Sequence, residues 1–385
     1  MSIATLNDTN DREANDREET AREQRTRRRP FSAADPTAHL TEADIEAIGV
    51  ELDALREEII SDRGERDAKY IRDVIKLQRG LEISGRAILM AGWLPPAWVA
   101  GTAALSAAKI LENMELGHNI MHGQWDWMRD PKIHSTTWEW DNTSPADQWK
   151  HSHNFVHHTY TNVLGKDRDI GYALLRITPE QRWSPWTVAQ PVYAALLAMF
   201  FEYGVALHDL EFDRIRRGEK SRAEAWPQLK AIGRKVRRQV LKDYVAFPLL
   251  AIPTGASVPV LAGNFTANIV RNVWTNVVIF CGHFPDGAEI FPEDQMEGET
   301  RGAWYVRQLL GSANISGGPL MHLATGNLSH QIEHHLFPDL PSNRYQEIAP
   351  RVRALCEKYD LPYTTGSLPA QITSTWKKIF RLALP

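Results

Sequence analysis

Seven of the fourteen histidines lie between Glu115 and Asn162, at spacings that suit metal ligation. His118 and His122 stand four apart in GHNIMHG, and His153, His157 and His158 repeat that step with an adjacent third ring in HNFVHH. A helix carries residues i and i+4 on one face, so each group presents imidazoles side by side. Far downstream, HQIEHHLFP puts His330 or Gln331 one turn before His334 and His335. Any one group taken alone reads as exposed or capping histidines. Together they offer at least seven nitrogen donors, more than one catalytic zinc with three protein ligands employs, so two metal ions are implied. Imidazole suits zinc, copper, nickel and iron, and the donor type alone does not name the metal. No HExxH zinc-protease pattern occurs. A soluble carboxylate di-iron bundle carries two ExxH motifs, and this chain has one, Glu115 with His118.

The elements that must position these groups alternate between polar and uncharged blocks. Residues 1–40 are dense in both charges with no apolar run, which predicts a solvated, disordered tail. Over 41–82, Ile45, Ile48, Leu52 and Leu55 recur at helical spacing and Thr41 with Asp44 forms a capping box, which predicts an amphipathic N-terminal helix. Ala87–Ala108 is free of charge for 22 residues, close to the ~20 that span hydrocarbon, and Pro95 and Pro96 make it either a kinked pass or a tight hairpin. Trp183–Leu207 is uncharged apart from Glu202. Tyr244–Pro285 carries Arg271 as its one formal charge over 42 residues, enough for two passes joined near Asn264–Arg271. A soluble helical enzyme with a buried helix pair is the competing arrangement. The loop 208–243 holds eleven Lys or Arg against six acids and faces the cytoplasm by the positive-inside rule. Overall, 44 basic against 48 acidic residues give no sign of nucleic-acid binding, and two cysteines are too few for a disulfide framework or a four-cysteine cluster. The expected fold is all-α and polytopic, with about four transmembrane helices and a cytoplasmic helical cap. The expected division is 1–40, 41–82, a membrane domain at 83–345 and a cytoplasmic segment at 346–385.

HxxxH, HxxxHH and QxxHH in this order, with apolar blocks between the second and third, resemble the histidine boxes of the integral-membrane fatty acid desaturases. HHTYTNVLGKDRDIGY and HQIEHHLFP resemble especially the linoleoyl-CoA and bacterial stearoyl-CoA types, and the likeness runs from about His118 to Pro338. The resemblance implies two iron ions held by His118, His122, His153, His157, His158, His334 and His335 at the cytoplasmic ends of membrane helices, with molecular oxygen as co-substrate. It adds His283 as a further ligand, and Gln331, or His330 beside it, at a place where many relatives carry histidine. Neighbours on a helix diverge by about 100°, so these two do not serve one ion together. If the boxes share one face, the chain crosses the membrane an even number of times between His158 and His334, which makes 183–207 interfacial or re-entrant. Second-shell carboxylates should orient the rings, and the candidates are Glu115, Asp126, Asp167, Asp169 and Glu333.

The reaction implied is oxygen-dependent desaturation of a fatty acyl chain carried by coenzyme A or a lipid. A hydroxylase or ketolase on the same ligand set, or a histidine-lined metal or proton transporter, are the alternatives. Neither a haem motif nor a strand-linked GxGxxG is visible, so a separate reductase or electron carrier is expected as partner. Trp125, Trp127, Trp138 and Trp140 lie between the first two boxes, where they suit an acyl tunnel or interfacial anchoring.

Overall fold

The computed structural model describes residues 35–385, so most of the charged tail expected over 1–40 lies outside the described residues. Helix α1 (Glu42–Ser61) starts where the sequence places its cap: Thr41 Oγ1 accepts from the Asp44 amide at 3.1 Å and Asp44 returns a bond to the Thr41 amide at 2.9 Å. A break at Gly64 separates it from α2 (Glu65–Leu89), so the single amphipathic segment expected over 41–82 is two helices, the second running past 82.

Helix α2 turns at residues 90–94 into α3 (Pro95–Leu111). Pro95 and Pro96 therefore open a helix, where a missing amide costs nothing, and the uncharged block is a hairpin rather than a kinked pass. The two helices approach until a Cβ on Gly85 would stand 2.8 Å from the Leu105 nitrogen and 2.9 Å from the Gly101 oxygen, so the crossing requires glycine.

The block 183–207 forms α4 (Gln190–Met199), led in by the 3-10 turn Pro185–Ala189, and α5 (Phe201–His208). The two halves are bent by 99° at Phe200. The basic α6 (Arg222–Gln239) then leads through the π-helical turn Val240–Ala246 to a reversal at Ala251–Ala256, where Gly255 takes φ of +71°. This reversal corrects the turn expected at Asn264–Arg271, because α7 (Ser257–His283) runs through those residues unbroken. Its polar residues mark a packing face. Asn264 donates to the Asp243 carbonyl at 2.5 Å, and Arg271 meets Glu202 of α5 at 2.5 Å with both side chains buried.

Among the described residues, no single helix is long and apolar enough to cross a membrane, while the bent 185–208 pair passes that test on length and composition. Large apolar side chains are exposed near both reversals: Trp93, Val99, Leu250 and Val258 are each more than half exposed. The reversals touch through Trp98 Nε1, which donates to the Pro259 carbonyl at 3.0 Å.

Helices α8 (Arg301–Leu310), α9 (Gln331–Leu336), α10 (Tyr345–Lys358) and α11 (Leu368–Leu382) complete the chain. Ile48, Leu52, Leu55 and Ile59 of α1 bury in one core with Tyr305 and Leu309 of α8 and Ile348 and Val352 of α10. The N- and C-terminal segments thus share a core with the part between them. Strands β1 (Asn314–Ser316) and β2 (Thr365–Ser367) make one short parallel pairing.

Candidate metal centre

His118 closes one π-helical stretch and His153 and His157 lie in another, while His122 caps and His158 opens the short α-helical turns that follow. Helix α3 passes directly into π-helical Glu112–His118, and Ala146–Trp149 passes into π-helical Lys150–His157. Such widened turns recur at functional sites. On an α-helix a residue five positions on points about 140° away. Here the His153 ring lies 5.1 Å from His157 and 5.0 Å from His158, so the wider turn brings three rings together where an α-helix would align two.

Eight imidazoles converge. One nitrogen from each of His118, His122, His153 and His334 lies within 4.8 Å of the others, and His157, His283 and His335 form a second such group. His158 bridges them, its ring 4.7 Å from His122, 4.9 Å from His334 and 4.4 Å from His335. Four rings have Nδ1 held by protein, while several other nitrogens face one another or have no partner. His118 Nδ1 faces Asn119 Oδ1 at 3.0 Å, His157 Nδ1 faces Asp167 at 3.0 Å, His334 Nδ1 faces the Tyr345 hydroxyl at 3.2 Å and His335 Nδ1 faces Gln308 Oε1 at 3.0 Å. Inward, His122 Nε2, His334 Nε2 and both His158 nitrogens are buried without a partner. His118 Nε2 stands 3.2 Å from His153 Nε2, and His335 Nε2 stands 3.2 Å from His283 Nε2. Two acceptor nitrogens that close suit donors on one shared ion about 2.1 Å from each. The outer nitrogen tied to protein and the inner one bare is the pattern by which proteins fix the tautomer of metal-binding imidazoles. The residues therefore fit two metal ions.

Electrostatics agree. Burial holds the His122, His158, His334 and His335 imidazoles well below their ordinary value, with neighbouring rings adding to it, and holds His118 at about 3. They are thus neutral, as a ligand must be. Burial lowers His157 too, but the adjacent Asp167 carboxylate outweighs it and raises that ring to about 9.

Of the two candidates in the third box, the structure brings Gln331 to the second group, its Nε2 3.0 Å from His283 Nε2, and leaves Gln331 Oε1 buried without a partner. Gly282 makes room for it, since a Cβ there would stand 2.9 Å from Gln331 Cδ. His330 turns away to His322, ring to ring at 4.5 Å. Among the candidate carboxylates, Asp167 holds His157, and Asp169 lies 3.8 Å from both His153 Nδ1 and His157 Nδ1. Glu115 and Glu333 are buried and raised to about 7 by burial, bonded to Ser342 and Asn327 and to Asn314 and Tyr363 respectively. Asp126 binds Ser135, away from the rings.

Sequence reasoning missed His208, whose Nε2 lies 3.1 Å from Asp169 Oδ1. It missed Tyr345 and Gln308 as well. Each comes from outside the boxes, and no spacing signals it.

A narrow cavity opens beside His118 and His153, walled by Trp140, Trp149, Phe201, Val205 and Ile279. Of the four tryptophans between the boxes, Trp140 lines it, while Trp125 is fully buried against Tyr70. Gly171, Tyr172 and Ala173 take φ of +68°, +52° and +57° at its edge; the latter two are strained for residues with a Cβ.

Residues 91–367 match the family model for fatty acid desaturases. The chain is 54% identical over 353 residues to an NADPH-dependent stearoyl-CoA 9-desaturase of Mycobacterium tuberculosis, covering 91% of this chain and 83% of the relative. It is 25% identical over 299 residues to an sn-1 linoleoyl-lipid 6-desaturase of Synechocystis, covering 75% of this chain and 82% of that one. It is 31% identical over 235 residues to an acyl-lipid 8-desaturase of Rebecca salina, covering 58% and 48%. The chain belongs to the fatty acid desaturase family and is an oxidoreductase.

Proposed function

We propose that the chain desaturates a fatty acyl chain carried by coenzyme A, using two irons and molecular oxygen, with the site on the cytoplasmic face of a membrane. The observation that carries this reading is the convergence of eight buried or half-buried imidazoles, with nitrogens of His122, His158 and His334 left without a partner and those of His118 with His153 and of His283 with His335 facing each other. His118, His122, His153 and His334 would hold one ion and His157, His283 and His335 the other, with His158 between them and Gln331 beside the second. When bound, the irons supply the oxidising power that an unactivated methylene pair demands. The remaining work falls to the chain. Asp167, Asn119, Tyr345 and Gln308 fix the ring orientations. The narrow cavity beside His118 and His153, walled by aromatic and aliphatic side chains together with Asn113, Asn142 and Asp209, would direct one methylene pair of the acyl chain against the rings. The 54% identical relative is named for a coenzyme A thioester, which supports that carrier over a lipid.

Membrane insertion is supported by the two adjoining hairpin reversals with exposed apolar side chains and by the bent 185–208 pair. Both hairpins and the bend return the chain to the side it left, which keeps all boxes on one face. The bases Arg234, Arg237 and Arg238 of α6 end where exposed Val240, Leu241 and Val245 begin, a charge-to-apolar boundary expected at a cytoplasmic membrane surface. Because no electron-storing motif is visible, a separate electron carrier completes the cycle.

The test is expression in a host lacking its own desaturase, followed by mass spectrometry of acyl chains and metal analysis of the purified protein. A loss of two mass units with about two irons per chain is expected, and His157→Ala abolishes both. A gain of sixteen units assigns a hydroxylase instead. Unchanged product from His157→Ala removes the second box from the ligand set.

A further inference from the structure

This inference rests on the desaturase reading, which requires electrons from outside the chain. On α2, Arg66, Lys69, Arg72, Lys76 and Arg79 are exposed and recur at steps of three or four, which lines them along one helical face, with Arg63 just before. Asp73 pairs with Lys69 and Lys76, and Glu347 pairs with Arg66. Among the described residues Arg63 and Arg72 have no acidic partner at ion-pair distance and Arg79 acts on Glu112, while six bases against Asp73 and Glu347 leave the face with a net positive charge. An open groove beside it is lined by Arg66, Lys69 and Asp73, by Tyr70 and Asn343, and by the apolar Val74, Leu77 and Leu323.

From Tyr70 an unbroken polar chain runs inward. Its hydroxyl accepts from Asn327 Nδ2 at 3.0 Å, and the same group donates to Glu115 at 3.0 Å. Ser342 Oγ donates to the other Glu115 oxygen at 2.5 Å, and the Ser342 amide donates to Gln124 Oε1 at 2.9 Å. Gln124 Nε2 then donates to the Tyr345 hydroxyl at 3.0 Å, which lies 3.2 Å from His334 Nδ1. Tyr70 also stacks on Trp125 with ring centres 6.2 Å apart. Glu115, Gln124, Trp125 and Tyr345 are fully buried. The chain thus joins the groove to the His334 imidazole through hydrogen bonds and the Ser342 residue alone.

We propose that this groove is the docking site of the electron carrier, a small soluble redox protein with an acidic face, and that its electrons enter through Tyr70 toward His334. Charge steers such an encounter and sets its rate, and redox encounters of this kind bury little surface. Two electrons from the carrier, two protons from solvent, and two hydrogens lost from the methylene pair with their electrons reduce one oxygen molecule to two waters. The carbon pair is left as a double bond.

The test uses the full chain in bilayer discs and reduced plant-type ferredoxin, an acidic one-electron carrier, as probe. Reduced methyl viologen, a small dication that needs no dock, is the control donor. Lys69→Glu with Arg72→Glu is expected to slow ferredoxin oxidation about tenfold or more at low salt. It should weaken binding of oxidised ferredoxin to the metal-free chain in parallel, with viologen-driven turnover and iron content unchanged. Tyr70→Phe is expected to leave ferredoxin binding intact and slow its oxidation. The milder Arg72→Gln gives the same sign if the double variant folds poorly. The proposal is overturned if these charge variants bind and oxidise ferredoxin as wild type does, or if wild type binds no ferredoxin at any ionic strength. If viologen drives no double-bond formation in wild type, the desaturase reading fails, and ferredoxin binding to the metal-free chain still decides the docking claim.

Discussion

His208 shows how far a ligand shell extends beyond its motifs. It sits at the end of α5 and holds Asp169 Oδ1 at 3.1 Å, while Asp169 Oδ2 lies 3.8 Å from the His153 and His157 rings. A ring held by a carboxylate that is itself held loses little freedom, and removal of such a support costs roughly 10–100-fold in metal affinity. His208→Phe should therefore lower iron retention against a chelator by about tenfold. His208→Gln, which keeps a donor, should restore much of it, measured as iron per chain after timed dialysis. Equal retention in wild type and His208→Phe removes His208 from the shell. Gly282 gives a second case. A methyl there would stand 2.9 Å from Gln331, so Gly282→Ala should displace that amide from His283 and alter the metal's optical or Mössbauer signature while leaving helix content unchanged. An unaltered spectrum would show that Gln331 is no neighbour of the metal.

Helices, rather than single residues, set which parts were readable beforehand. The block 183–207 was read as interfacial or re-entrant from crossing parity alone, whereas the three boxes and the α1 cap were legible because each depends on local spacing within a few residues. The π-helical stretches were not, since Glu112–His118 and Lys150–His157 carry no composition that separates π from α, and the extra width pays off only when three strands of contact meet at the rings. The position of the second reversal was also hidden. Asn264, Asn268, Arg271 and Asn272 look like a polar loop in one dimension and become a packing face once Glu202 and Asp243 stand opposite. That pairing is testable. Arg271→Met leaves the Glu202 carboxylate buried and uncompensated, which costs about 3–5 kcal/mol, and Arg271→Met with Glu202→Met together should recover most of it. Thermal unfolding in micelles reports both. A single variant as stable as wild type would mean that α5 does not depend on this pair for its seat on α7.

At the scale of the whole molecule, the arrangement requires each apolar excursion to begin and end on the side of the metal centre. The α2–α3 hairpin and the reversal before α7 point their exposed apolar residues away from the boxes, and Trp98 ties their tips together through Pro259. On the proposed membrane reading, the 99° bend at Phe200 would let α4 and α5 enter and return without a crossing and leave His208 and the basic α6 on the same side as His158. The exposed bases Arg72, Lys76 and Arg79 of α2 belong on the side of the metal centre, so on the membrane reading only the apolar tips of the hairpins enter the bilayer and the bend stays at shallow depth. Single cysteines read this directly, after Cys281 and Cys356, both buried, are replaced by alanine. With a membrane-impermeant maleimide, a cysteine at exposed Ser221 should label only in inside-out vesicles, and one at Gly255, within the apolar tip, from neither side. A cysteine at Phe200 should label slowly from the inside and not at all from the outside. Fast labelling of Phe200→Cys from outside would make 185–208 a full crossing, put α6 and the second box on opposite faces, and break the parity on which a single shared metal centre depends.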